Sequence, residues 1–444
     1  MESPRRAGAP RFSTQGATAF LVALGTALLI YWQPVTKTLL LKPSDAVFAA
    51  ALCLWLLSWT WKDWLRTLRG GEMWFIPPLL ASILVATLVG YVHYHLGMSR
   101  TGILLLGRLL VCMLLFLATC QLLLRDAGLR RPISLAFLSP LALFPALLHP
   151  ALSTVMWDSD GRFQGLTLNA NTAAVAFLIA FALAFTLGAC ETGLGRRLSA
   201  FAFLGIAAAM LGLIVWTQSR AYLIAAFGSA VLGTVLVAKH QRRTNLRFAL
   251  AGVAGLALVV VGIFVLAPGR FAVSYLTRVS PIYYRTVEDT GASQRTGPRS
   301  AGPGGPMDRL QRFSAGIIPR LGEDIRTPAI RYYARLLSTN PLGLGVNYES
   351  KFTVYHAPTR TYHGANTILD LPLYGGVGAV LSVAYLAVLV GRKTRRTLAD
   401  TLDANAPYTI AAVTALAGLW GVAVLVGSPL FDYQFWILTA IVLG

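Results

Sequence analysis

Long apolar runs alternate with short polar turns along most of this chain. A helix needs roughly 17–25 residues to cross the ~30 Å hydrocarbon layer. About twelve runs meet that length: 16–33, 44–61, 74–95, 101–124, 132–156, 168–188, 198–217, 220–238, 247–267, 367–391, 407–427 and 430–444. The pattern predicts an all-α polytopic membrane protein of about twelve transmembrane helices. One polar excursion interrupts it, so the chain divides into nine spans over 1–267, a large loop over 268–366 and three spans over 367–444. The first run follows a basic tail, MESPRRAGAPRFS, with no small-residue cleavage site behind it, and is read as a retained span.

Within the loop the pattern changes three times. A basic segment, RFAVSYLTRVSPIYYRTVEDT, leads into GASQRTGPRSAGPGGP at 291–306, a Gly/Pro/Ser linker with too little apolar surface to order itself. Met307, Leu310, Phe313 and Ile317 then recur at helical spacing opposite Arg309 and Arg312, predicting a short amphipathic helix on the membrane surface or the spans. A second helix starts near Pro328, with Ile330, Ala334 and Leu337 as its apolar face. On it Arg331 and Arg335 are i,i+4 neighbours, able to point at one ligand. Asn340 and Pro341 stop that helix, and Gly343 and Gly345 turn the chain back. His363 and Asn366 stand just ahead of the tenth run, with Asp370 one turn inside it.

Composition agrees with a membrane protein: 56% of the 444 residues are hydrophobic and 13% charged, where a soluble domain carries about 25% charged residues. The net charge of +20 invites a nucleic-acid reading. The positions of the charges exclude it, because they fall between apolar runs at alternate turns. Arg5, Arg6, Arg11, Lys62, Arg66, Arg69, Arg125, Arg130, Arg131, Arg196, Arg197, Lys239, Arg242, Arg243, Arg247, Arg392, Lys393, Arg395 and Arg396 collect on one side. The opposite short turns and span ends hold Lys37, Lys42, Arg100, Arg108, Arg162 and Arg220. The richer side is cytoplasmic by the positive-inside rule, which puts the long loop outside. Cys53, Cys112, Cys120 and Cys190 all lie within or at the ends of runs, so they read as small core residues rather than a disulfide or zinc set.

Candidate chemistry clusters on the outer side. Arg108 lies about two turns inside the fourth run, where an unpaired guanidinium is costly; it either serves a site or snorkels to the interface. Tyr91, His93, Tyr94 and His95 read as an interfacial belt, since the two histidines lack the i,i+4 spacing of a helical metal pair. Asp158 and Asp160 form a D-x-D that holds a metal on phosphate in many sugar-transferring enzymes. Before Gly161, and with no third carboxylate nearby, an Asx-type turn is preferred. Arg162, Asn169 and Asn171 stand at the mouth of the sixth run. The tight hairpin WTQSRAYLIAAF fixes Arg220 at the outer face, as an interface anchor or as a cation for an anionic headgroup. No Walker-type loop or Rossmann fingerprint is present.

R-F-Q-G-L-T-L-N-A-N at 162–171, Q-S-R-A at 218–221, R-Y-Y-A-R-L-L-S-T-N-P-L-G-L-G at 331–345 and H-G-A-N at 363–366, followed by an acidic residue and Gly375, Gly376 and Gly378, occur in one order and on one side. In these pieces the chain resembles the bacterial O-antigen ligases and the related O-antigen polymerases and O-oligosaccharyltransferases. It departs from them in a Tyr after Arg331, where relatives often have Trp, and in the 291–306 linker. The resemblance implies a GT-C-like multi-pass protein of the bacterial inner membrane, its active site facing the periplasm. Such an enzyme takes a glycan from undecaprenyl diphosphate and passes it to a second membrane glycolipid. In the ligases that acceptor is a sugar hydroxyl of lipid A–core, as lipopolysaccharide matures. No metal or cofactor is implied. For that chemistry Arg220 and Arg331 would stabilise the departing diphosphate, with Arg162 and Arg335 as second choices. His363 would act as general base, Asn366 would orient it or the sugar, and Arg108 and Asn171 would contribute to substrate binding. The excess outer arginines would draw in an anionic acceptor. Polymerase and protein-directed transferase share the same donor logic. A transporter of lipid-linked glycans would use the arginines for binding alone, and usually shows internal repeats that are not evident here.

Overall fold

The computed structural model describes residues 14–30, 42–58, 71, 73–96, 100–147, 149, 156–157, 162–167, 170–241, 335–346, 354–355, 361–362, 367–400, 402–426, 430 and 432–444. These are almost entirely helical: α1 (Thr14–Ala27), α2 (Pro43–Ser58), α3 (Ile76–Tyr94), α4 (Arg100–Arg125), α5 (Arg130–Ala136), α6 (Leu143–Leu147), α7 (Ala170–Gly193), α8 (Arg197–Trp216), α9 (Arg220–His240), α10 (Thr367–Ala399), α11 (Ala406–Val426) and α12 (Tyr433–Leu443). Among the described residues a two-residue antiparallel pair, β1 (Val354–Tyr355) and β2 (Thr361–Tyr362), and short 3-10 turns accompany the helices. Among the described residues seven helices are long and apolar enough to cross a membrane, and α1, α2 and α12 are shorter apolar helices. The expected run at 247–267, the 291–306 linker and the amphipathic helix near 307–317 lie outside the described residues.

The fifth expected run, 132–156, is not one helix. α5 ends at Ala136, a 3-10 turn covers Ser139–Ala142, and α6 ends at Leu147. Pro132 sits in the first turn of α5, where a missing N–H costs nothing. Pro140 and Pro145 recur before any helix can lengthen, each withdrawing a donor and crowding the preceding turn.

The bundle is built around α7. That helix is apolar on every side, and 94% of its span is buried, as a helix without a polar face requires. It packs against α8, α9 and α11. Small residues let the backbones approach: a side chain at Gly233 would meet Thr186 Oγ1 at 2.6 Å and Thr414 at 3.3 Å, so α9 lies directly on α7 and α11. α12 is buried along its length, with Trp436 stacked on Phe75 at 6.2 Å and edge-on to Phe116 at 5.7 Å. Its indole N–H donates to the Leu430 carbonyl at 2.7 Å. Leu84, Val85 and Leu88 of α3 and Ile103 and Leu104 of α4 are exposed, an apolar surface suited to lipid.

The ion pairs sort the two ends of the bundle. At one end Arg130 reaches Asp403 at 3.9 Å, Arg196 reaches Glu191 at 3.6 Å, and Lys393 Nζ donates to the Leu443 carbonyl at 3.5 Å. This basic end gathers the described part of the arginine-rich set. The opposite end gathers the starts of α2, α9, α10 and α12 and the end of α3.

Candidate functional site

Three local structures lie at that opposite end. The first is a corner where α8 turns into α9. Thr217 closes α8 through N–H bonds to Leu213 and Ile214, both at 3.1 Å, and Gln218 takes a left-handed conformation at φ 55° while buried. A non-glycine residue there stores about 1–3 kcal/mol of backbone strain, which persists only if its surroundings impose it. Residues 156–157 and 162–167 form a strap packed against this corner. Phe163 donates its N–H to the Trp216 carbonyl at 3.0 Å, and Gln164 donates to Met156 at 2.8 Å. Trp157, Phe163, Trp216 and Phe177 interleave their rings at 5.4–5.9 Å. The strap brings half-buried Arg162 beside the corner, and Arg220 opens α9 directly after it. Ser219, the N-cap of α9, makes no side-chain capping bond, so this helix end presents unsatisfied N–H groups and the positive pole of its dipole. Asn171 is exposed in the first turn of α7, and Asn169 lies outside the described residues.

The second structure is the turn after the arginine helix. A helical stretch at 335–339 ends where Asn340 Nδ2 donates to the Leu336 carbonyl at 2.8 Å, filling an acceptor that the helix end leaves open. The chain then enters the groove between α3 and α10. Leu344 and Gly345 donate to the Leu373 carbonyl at 2.7 and 3.1 Å, and Val377 donates to Pro341 at 3.0 Å. α10 receives them because Gly375 and Gly376 leave helical geometry, Gly376 at φ 61°. Asp370 is buried one turn into α10, as expected. Arg335 is exposed on the helical stretch, and Arg331, His363 and Asn366 lie outside the described residues.

The third structure was not read from the sequence. Arg108 forms an ion pair with Asp432 at 3.6 Å, and its guanidinium lies over the Tyr433 ring at 5.4 Å. The Tyr433 hydroxyl bonds Asp45, whose carboxylate accepts the Lys42 N–H at 2.9 Å. Tyr222, two residues into α9 from Arg220, lies within electrostatic reach of Asp432. Arg108 is therefore held by partners from the far end of the chain rather than stranded. The available signal was Asp432, a lone acid at the mouth of an apolar run.

Burial pushes the Lys42 ammonium down to about 8; Arg108 adds to that shift, and Asp45 and Asp432 oppose it. Folded Lys42 thus releases its proton near pH 8, while the unfolded chain keeps it to about 10.5. Between those values the unfolded chain binds more protons, so stability rises with pH. Thermal unfolding in detergent at pH 7, 8.5 and 10 is expected to show a smaller gain with pH in Lys42→Met than in the native chain. Parallel pH curves would refute the assignment.

Between α9 and α11, Ala221, Ala225, Gly228, Ala417, Gly418 and Gly421 line an open cavity of about 320 Å³ that begins one residue after Arg220. Among the described residues no group of three or more His, Cys, Asp or Glu is placed to hold a metal. Compared with models of known protein families and with curated proteins, the chain matches none.

Proposed function

We propose that this protein is an O-antigen ligase: a membrane glycosyltransferase that moves polysaccharide from undecaprenyl diphosphate to a sugar hydroxyl of lipid A–core. On this reading its spans lie in the bacterial inner membrane, and the end carrying the 218–220 corner faces the periplasm. The observation that carries the reading is the gathering of separate sequence pieces. The 162–167 strap is hydrogen-bonded to the end of α8, beside the Gln218–Arg220 corner, and the 340–345 turn is hydrogen-bonded to the start of α10 at the same end of the bundle. The fourth piece, His363–Asn366, immediately precedes α10.

Glycosyl transfer develops positive charge on the anomeric carbon and negative charge on the departing diphosphate. Arg220 opens an uncapped helix N-terminus, whose dipole favours the same anionic group that an arginine binds. Arg331 joins it from the loop, with Arg162 and Arg335 on the flanks. Arginine suits this task because it binds phosphate oxygens in pairs and stays charged. His363 takes the proton of the attacking hydroxyl, and Asn366 orients the imidazole or the sugar. Arg108 and Asn171 complete the substrate-binding rim, and the small-residue groove below Arg220 gives an isoprenoid chain a path beside its diphosphate. The proposed reaction needs no metal or cofactor.

Purified protein in detergent, given lipid-linked polysaccharide with and without lipid A–core and resolved on a gel, tests the reading. Polysaccharide moving onto lipid A–core in the presence of a chelator is the expected result. Longer chains on the carrier, with lipid A–core untouched, would make the protein a polymerase. Transfer to protein instead would make it an O-oligosaccharyltransferase, and absence of any transfer would return the arginines to transport.

A further inference from the structure

In an unbroken α-helix the Val377 N–H would donate back to the Leu373 carbonyl. In α10 both partners of that bond are taken by the turn at 340–345. Val377 donates to the Pro341 carbonyl at 3.0 Å, and the Leu373 carbonyl accepts Leu344 and Gly345 at 2.7 and 3.1 Å. The turn is thus spliced into the hydrogen-bond ladder of the helix. The splice depends on the break beside it. Gly375 lies at φ −145°, ψ 16°, and Gly376 at φ 61°, ψ −157°, a region essentially confined to glycine.

The contact is backbone on backbone. A side chain at Gly343 would lie 2.6 Å from the Gly376 nitrogen, and one at Gly376 would overlap Leu342 and the Pro341 carbonyl oxygen. On the other wall, the missing side chain of Gly90 in α3 leaves room for the Leu344 carbonyl. Leu344 and Val346 are buried in this groove, and the Val346 N–H reaches Thr87 Oγ1 at 3.4 Å. Burial of those two apolar side chains favours the docked turn.

Release of the turn would not cost every bond equally. Val377 and Leu373 can bond each other once the turn has gone, because the two glycines between them are free to take helical angles. Leu344 and Gly345 are left to water at the mouth of the bundle. Part of what release breaks is therefore repaired inside α10.

We propose that the 340–346 turn and the α10 break form a two-state latch. Docked, the turn holds α10 open at Gly375 and Gly376; released, it lets α10 close into a continuous helix. The 335–339 stretch that carries Arg335 runs directly into the turn, and His363 and Asn366 immediately precede α10. The consequence for function rests on the transferase reading. Docking sets the arginine segment against the start of α10, and release opens the rim for a long lipid-linked chain to enter or leave.

Hydrogen exchange on the full-length protein in detergent, resolved to single amides by electron-transfer fragmentation, tests the latch. Leu344 and Gly345 are expected to exchange at least about tenfold faster than Val377, although all three belong to one patch of bonds. Gly376→Ala excludes the broken geometry, so it should speed the first two further and leave Val377 protected, as a closed helix requires. Leu344→Ala weakens docking without touching the break and should give the same pattern. Val377 losing protection together with Leu344 and Gly345 would mean that the turn leaves without the helix closing. Equal protection of all three in the native chain and both variants would mean a fixed dock. Either result overturns the latch. Exchange asks nothing of glycan transfer, so the latch and the ligase reading can fail separately.

Discussion

His363→Ala is expected to slow polysaccharide transfer to lipid A–core by about 10²–10⁴-fold, the ordinary worth of a positioned general base. The loss should fall on turnover, with the apparent affinity for the lipid-linked donor little changed. An acceptor hydroxyl must shed its proton as it attacks, and a neutral imidazole near pH 7 is the side chain suited to receive it. His363 comes only a few residues before α10, whose start is fixed by the docked 340–346 turn. The guanidinium side of the reaction should respond differently. Arg220→Lys and Arg331→Lys keep the charge but lose paired hydrogen bonding, so each should retain more activity than the corresponding alanine variant. The assay is the gel-resolved transfer reaction, run over a range of donor concentrations on protein that elutes as the native chain does. Near-native turnover in His363→Ala would remove the general-base role while leaving the ligase reading open.

Much of the helical architecture was legible in run length, because spanning hydrocarbon imposes a minimum that few soluble sequences meet. α3, α4, α7, α8, α9, α10 and α11 all fall on expected runs. The fifth run misled because hydropathy does not register the backbone, and Pro140 and Pro145 cost donors without lowering apolarity. Arg108 was visible as an anomaly, but its partner was not: Asp432 and Arg108 are remote in sequence and meet only when α12 packs beside α4. Gln218 gave no signal of its own, since its left-handed backbone lies at a corner packed by a segment arriving from before α7. The glycines at 343, 345, 375 and 376 read as turn and packing punctuation. Their pairing across the α3–α10 groove depends on contacts that no local pattern encodes.

That pairing makes Gly345→Ala the second large effect. Gly345 is buried at φ 80°, where a Cβ costs about 1–2 kcal/mol by itself. The new methyl would also overlap Thr87 Cα and lie 2.6 Å from Thr87 N, both backbone atoms in the middle of α3. A flexible side chain yields to such a clash, but a membrane helix does not. The turn must therefore withdraw, giving up the Leu344 and Gly345 bonds to Leu373 and the Val346 N–H bond to Thr87 Oγ1. Gly376 would lose Leu342 and Pro341, the neighbours that crowd its own missing side chain. Arg335 is separated from this turn by a single helical stretch, so withdrawal moves the arginine segment as well. Displacement of a reacting constellation by even ~1 Å costs on the order of 10²-fold in rate. Gly345→Ala should thus lower both the melting temperature in detergent and glycan transfer, the latter by about 10²-fold. Gly391→Ala supplies the comparison, because a Cβ there meets nothing within 4 Å, and it should behave like the native chain. Restoring space by Thr87→Gly removes the Thr87 side chain but neither its Cα nor its N, so the double variant should recover little. Full transfer by Gly345→Ala would mean that the turn yields without moving the arginines. The rim would then have to be positioned by the strap and the α8–α9 corner alone.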